Sequence, residues 1–221
     1  MLTLRLIEDR LPGGDPIYLP AAERALYVVD GDLTVETSTG CSHQAAGSAW
    51  LGDAALGIVP GSGGATILRW ELLRAADRDT GILRSAPHCA SAVKLTTSID
   101  LDPGFGWLMR CDRVTFPKGG IAYTHIHQGP GIRYCLEGRI RIETEGQVHS
   151  YGPGQAWFEI GSAPVRAPTS EDTETSFGRC FVLPRACKGR GSIRYVLPED
   201  AAKPKTQRYR VLGERFIELP A

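Results

Sequence analysis

His125 and His127 stand one residue apart in the run Gly120-Ile121-Ala122-Tyr123-Thr124-His125-Ile126-His127-Gln128-Gly129-Pro130-Gly131. On a β-strand, side chains two residues apart point to the same side. A His-x-His pair therefore aims two imidazoles at one point, a common start for a transition-metal site. Two imidazoles alone hold a divalent ion weakly, so a third donor is needed. Tyr123 shares the parity of the histidines and would bring a hydroxyl to the same side. Gln128 would bring an amide. The plain alternative is a pair of polar residues near a strand end, bonded to backbone or water. The six cysteines, Cys41, Cys89, Cys111, Cys135, Cys180 and Cys187, form no Cys-x-x-Cys pair, which argues against a zinc ribbon or thioredoxin motif. Most should be buried, small and apolar. Cys135 is the exception to watch, because it would share a face with the histidines.

The elements that position these residues read as strands and turns nearly throughout. Strands are expected at 1–10, 17–20, 25–37, 47–51, 56–59 and 65–74. A polar linker follows from Ala75 to Ser91, with room for a short helical turn. Strands at 93–99 and 106–116 then bring in a second barrel, continued by 121–127, 131–143, 147–151, 155–160, 164–167 and 176–183. After Pro184 come two more strand-like pieces, 192–197 and 207–217.

The order Gly, His-x-His, a strand ending in Leu136-Glu137-Gly138, then Pro153-Gly154-Gln155-Ala156-Trp157 resembles the cupin superfamily, whose members are small double-stranded β-helix barrels. The resemblance implies a metal site built from His125 and His127. Two positions depart from the cupin pattern: Gly131 stands where a glutamate ligand belongs, seven residues before Gly138, and Pro164-Val165 stands near the place of the last histidine. Glu159 is the best replacement donor, because it follows the Pro-Gly turn on a strand that lines the barrel in cupins and shares a face with Trp157. Two histidines and a carboxylate would make a facial triad, as in non-heme iron oxygenases. The alternative has Glu159 exposed or bonded to an arginine. His149 is a weaker donor, expected to be exposed. Arg133 lies two residues beyond the glutamate position and should share its facing. There it would repel a metal and attract an anion. Otherwise it turns out to join Arg139 and Arg141, an arrangement favoured by the apolar even positions Ile132, Tyr134, Leu136, Ile140 and Ile142.

A second copy of the module lies upstream. Shifted by 107 residues without a gap, Tyr27 meets Tyr134, Gly31 meets Gly138, Glu36-Thr37 meets Glu143-Thr144, Gly47 meets Gly154 and Ala49-Trp50 meets Ala156-Trp157. Internal repeats set architecture. The same shift turns the ligand positions into Tyr18, Pro20, Arg24 and Ile58, and Glu159 into Gly52. No cupin ligand survives in the first half, so metal chemistry would belong to the second.

The chain has 221 residues, enough for one large or two small domains. Its 26 glycines and 15 prolines suit many short strands joined by turns. Twenty-five basic residues balance 25 acidic ones, which argues against a nucleic-acid partner. The modest basic cluster from Arg185 to Arg194 reads as a solvated loop. No apolar run is long enough to span a membrane. Met1 to Leu6 alternates like a strand and lacks a signal-peptide apolar block. A cytoplasmic protein with no membrane partner is the expectation.

The expected fold is all-β, with two double-stranded β-helix (jelly-roll) cupin barrels. Residues 1–90 form a degenerate N-terminal barrel, 91–187 a C-terminal barrel with the His-x-His motif, and 188–221 an extension that packs on the barrels. The leading expectation for function is a metal-dependent, dioxygenase-like cupin enzyme acting on a small anionic or aromatic molecule. His125, His127 and Glu159 would hold a divalent metal (Fe, Mn, Ni or Zn). Arg133 would take a substrate carboxylate or enolate oxygen, and Tyr123 would offer its hydroxyl. The rival is a metal-free binding or sensing cupin in which His125, His127, Arg133 and Tyr123 line a polar small-molecule pocket. A two-barrel chain covers most of its own sheet edges, so a monomer or homodimer is expected.

Overall fold

The computed structural model describes residues 1–74, 81–83 and 88–219, and strand dominates it. Of the expected linker, residues 75–80 and 84–87 lie outside the described residues. Contacts divide the chain into two units, Met1–Gly104 with the chain end from Ile217, and Phe105–Phe216. Among the described residues no helix is long and apolar enough to cross a membrane.

The first unit contains β1 (Leu2–Leu11), β2 (Ile17–Leu19), β3 (Glu23–Thr37), β4 (Gly40–Ala45), β5 (Ala49–Gly52), β6 (Leu56–Arg74) and β7 (Ala90–Ile99). They form one sheet in the order β4-β3-β6-β1-β7, with β2 on β6 and β5 on β3. The two long strands make the barrel. The first half of β3 pairs with the second half of β6, and the second half of β3 with Gly57–Pro60. Each strand therefore serves both walls. The bends fall at register shifts beside Gly31, whose φ is +76°. A Cβ on Gly31 would collide with the Gly64 carbonyl, so the residue there must be glycine.

The second unit contains β8 (Trp107–Phe116), β9 (Ile121–His127), β10 (Gly131–Glu137), β11 (Ile140–Thr144), β12 (Gln147–Tyr151), β13 (Ala156–Glu159), β14 (Val165–Pro168), β15 (Thr175–Pro184), β16 (Ile193–Tyr195) and β17 (Arg208–Ile217), with a short helix α1 (Pro198–Ala202). Here the walls are separate sheets, β13-β10-β15-β8-β17 and β12-β11-β14-β9-β16.

The repeat appears as identical pairing. Leu26 faces Trp50 and Tyr27 faces Ala49 across β3 and β5. Arg133 faces Trp157 and Tyr134 faces Ala156 across β10 and β13, the same register 107 residues on. Gly138 has φ +73°, beside +76° at Gly31, and Gly47 and Gly154 have +80° and +84°. The structure thus carries two jelly-roll barrels built on one plan.

The strand β4 was not expected, and several boundaries differ from expectation. The strand expected at 131–143 breaks at Gly138 into β10 and β11. β6 runs on through 60–64, where a break was expected, because Pro60 to Gly64 continue along the barrel bend. β7 pairs with β1 along most of its length, so it belongs to the first unit rather than opening the second barrel. The units accordingly part between Gly104 and Phe105, not at residue 90. Of the extension, β16 pairs with β9 and β17 adjoins β8.

The first barrel has an apolar core. Leu26, Val28, Leu33, Val35, Ile58 and Ile67 are buried in one cluster, against which Trp50 packs. The Trp50 ring lies over Gly52 so closely that a Cβ there would overlap it. At the place where the cupin pattern puts its glutamate, Arg24 points inward and donates Nε and Nη2 to Glu71 Oε1 at 3.0 and 2.8 Å. Arg5 and Arg69 also reach Glu71, at 2.5 and 2.9 Å, and Arg69 is paired with Asp9 at 2.8 Å. Burial would raise the Glu71 carboxyl pKa, but the guanidiniums of Arg69, Arg24 and Arg5 outweigh it and hold the value at about 2.

Candidate functional site

The second barrel is hollow. A cavity of about 260 Å3 lies between its sheets. Apolar side chains line one part: Val114, Phe116, Ala122, Ile140, Ile142, Trp157, Ala167 and Phe177. His125, His127, Arg133, Glu159 and Arg179 line another. The chain from Gly191 to Tyr209 supplies the remaining wall with Ser192, Ile193, Tyr195, Lys205, Gln207 and Tyr209.

β-Bulges decide which side chains enter. In β10, Gly131, Arg133 and Cys135 share the inner face. A register shift between Cys135 and Glu137 moves the inner set to the even residues of β11, Ile140 and Ile142. One extra residue reverses every facing beyond it. The apolar even positions therefore did not mark one face, and Arg133 is buried while Arg139 and Arg141 are exposed. β9 does the same. Its pairing with β14 slips between Ala122 and His125, so Ala122, His125 and His127 line the cavity and Tyr123 does not. This corrects the expected role of Tyr123. Its ring instead carries Lys203 Nζ at 4.7 Å from the centroid, and only its carbonyl serves the site. Gln128 also misses the cavity. With its amide nitrogen toward the Ser192 carbonyl and its oxygen toward Arg194 Nε, it makes two bonds of 2.7 Å and pins the C-terminal segment.

The imidazoles are held by backbone. His125 Nδ1 lies 2.7 Å from the Tyr123 carbonyl, and His127 Nδ1 lies 3.0 Å from that of Ser192. A carbonyl only accepts, so both rings carry their proton on Nδ1 and present Nε2 lone pairs. The ring centroids are 4.8 Å apart, edge to face. Burial lowers the His125 pKa, only partly opposed by Glu159 and the Tyr123 carbonyl. Burial again, then Arg179 and Arg133, hold His127 well below its ordinary value. His127 Nε2 is 3.9 Å from Glu159 Oε2. With a neutral ring, that contact is not an ion pair. His127 is expected to remain a neutral Nδ1–H tautomer at pH 6, where a free histidine is mostly charged, and His125 to titrate below an ordinary histidine. Long-range 1H–15N spectra check this, and an ordinary titration near 6.5 would refute it.

Glu159 is committed elsewhere. Its Oε1 accepts from Trp157 Nε1 at 2.8 Å, and its Oε2 lies 2.7 Å from Arg133 Nη2. Arg133 also donates Nη1 to the Gly131 carbonyl at 2.6 Å and stacks 4.6 Å from the Phe181 ring centroid. Burial pulls its pKa down to about 10 against the pull of Glu159, so it stays charged at neutral pH. The Glu159 contact is off the N–H directions, and Nη2 has no aligned hydrogen-bond acceptor although it is sealed from solvent. Arg179, which the sequence reading missed, is bound to Asp112 at 2.6 and 3.2 Å and lies 4.4 Å over Phe181. Its mark in the sequence is a cation between two aromatics of one strand parity, Phe177-x-Arg179-x-Phe181.

This donor set does not fit a resident divalent ion. The backbone-anchored histidines suit one, but the third donor is held by an arginine, and two guanidiniums face the same space. Among the described residues no three His, Cys, Asp or Glu are placed to hold a metal. The cysteines do not help. All are free, with Cys111, Cys135 and Cys180 buried. Cys135 does share the Arg133 face, but it sits in the apolar core and its thiol is pushed up to about 11 by burial. His149 is exposed.

Comparison with known proteins follows the same lines. The sequence profile of the cupin domain matches residues 112–173. No curated protein matches in sequence. Among solved structures, the R92A mutant of Bacillus subtilis oxalate decarboxylase OxdC superposes with a TM-score of 0.64 at 12% identity, covering 88% of this chain and 74% of that one. AerE from Microcystis aeruginosa superposes with a TM-score of 0.58 at 14% identity, covering 82% of this chain and 88% of that one. At such identities the likeness is one of fold. Residues 112–173 match the cupin domain, and the structure repeats the same barrel plan upstream of it.

Proposed function

We propose that the second barrel binds a small amphipathic anion, such as a carboxylate on an apolar body, without a resident divalent metal. The observation that carries this is Arg133, a buried guanidinium in the cavity wall whose Nη2 is paired with Glu159 at 2.7 Å without an aligned hydrogen bond. Such a group gains most from an anionic ligand. Arg179 and Lys205 add positive charge to the lining, against Glu159 alone within it. The neutral imidazoles add two acceptors for a ligand hydroxyl or amine. The apolar part of the lining gives the body of the ligand its place. This is the metal-free alternative, and the metal-dependent oxygenase reading gives way to it because Glu159 answers to Arg133.

Purified protein is expected to hold no stoichiometric divalent metal, and His125→Ala to leave its metal content unchanged. Saturation with 3-phenylpropanoate at a hundred times its Kd should raise the melting temperature by about 5–10 °C. The rise should vanish in the Arg133→Met/Glu159→Gln double variant, which keeps the local charge balanced. Stoichiometric metal that disappears in His125→Ala would overturn this reading and restore the metal-dependent enzyme.

A further inference from the structure

The wall formed by the C-terminal segment is fastened at many points. β16 pairs with His127 to His125 of β9. The Ser192 carbonyl faces the His127 ring, and the Thr124 backbone N–H donates to Asp200 Oδ2 at 3.1 Å. Lys203 bonds Asp200 at 2.7 Å. Lys205 donates Nζ to the carbonyls of Asp200, Ala201 and Lys203 and lies 4.0 Å from the Tyr195 ring centroid. Its three protons are thus in use. One pair on this wall is left half-served. Gln207 Nε2 lies 3.1 Å from Tyr195 Oη, while Gln207 Oε1 is sealed from solvent with no partner. The amide nitrogen meets the phenol and the amide oxygen meets nothing. A buried amide atom without a partner is unfavourable, and both residues border the cavity.

We propose that the ligand carries a neutral hydroxyl or amide besides its anionic group, and that Gln207 and Tyr195 read it. The C-terminal segment is then the specificity determinant of the cavity. The inference rests on the anion-binding reading above. The second group is neutral because amide and phenol carry no charge to balance another, and because the ammonium of Lys205 is already committed to backbone.

Calorimetry with matched probes tests this: 3-phenylpropanoate against 3-(4-hydroxyphenyl)propanoate, and octanoate against 8-hydroxyoctanoate. In at least one pair the hydroxylated acid should bind roughly five- to thirty-fold tighter to the wild type. Gln207→Leu should abolish that preference, because the hydrogen bond to the added hydroxyl is lost. Tyr195→Phe, a smaller change, guards against a folding defect in the leucine variant and should narrow the same preference. If the acids of each pair bind equally, or Gln207→Leu keeps the preference, this inference fails while the anion reading stands. If none of the four binds, the anion reading fails and takes this one with it.

Discussion

Glu71→Gln is expected to cost about 3–5 kcal/mol of stability, the usual result of removing one partner from a buried ion pair. Three guanidiniums, those of Arg5, Arg24 and Arg69, would then share a neutral amide in the middle of the first barrel. Hydrogen exchange at β3 and β6 measures the loss. A change below about 1 kcal/mol, the scale of a surface pair, would show that the cluster is not held by this carboxylate. The same residue predicts an acid limit. Its folded pKa of about 2 lies below the ordinary value of 4.5. A depressed carboxyl gives its full stabilisation above the ordinary value and loses it as pH falls towards the folded one. The first unit should therefore weaken between about pH 4.5 and 2, and Glu71→Gln should lose that dependence. A variant that weakens over the same window would assign the acid limit to other groups.

Arg133→Met should be comparably harmful to the second barrel, about 3–5 kcal/mol, because Glu159 would remain beside the cavity with only Trp157 as partner. Adding Glu159→Gln should recover most of it, since replacing both charges is far milder than breaking the pair. Urea denaturation of the wild type, both single variants and the double gives the coupling between them. Additive losses would mean that the two side chains act separately. The double variant should fold yet bind no carboxylate, which separates what the pair does for the barrel from what Arg133 does for a ligand.

Much of the fold was legible because the repeat is a matter of register, and register leaves marks in sequence. Gly31 and Gly138 mark the bends, and Trp50 and Trp157 mark a strand that pairs identically in both barrels. His125 and His127 were expected on one face from strand parity and the cupin resemblance, and Glu159 as a third donor or an arginine partner; all three border the cavity, with Glu159 paired to Arg133. Tyr123 and the outward option for Arg133 failed for one physical reason. Parity holds only between bulges, and β9 and β10 each contain a register shift that no residue type announces. Arg179, Tyr195 and Gln207 were missed for another. Arg179 and Tyr195 come from strands whose pairing partners are far away in the chain, Gln207 from the segment just before β17, and the wall they form is tertiary. The strand at Ala90–Ile99 was assigned to the second barrel because sequence order, not hydrogen bonding, was the guide.

The place of Trp50 over Gly52 has a consequence for how two copies of one plan come to differ in capacity. In the first barrel the position after the tryptophan's neighbour is vacant, and the indole lies down into it like a stopper. In the second, the same position bears a carboxylate that the indole must hydrogen-bond instead of cover, and the interior stays open. A single position, Gly52 in one barrel and Glu159 in the other, thus sets whether the indole lies over bare backbone or donates to a carboxylate.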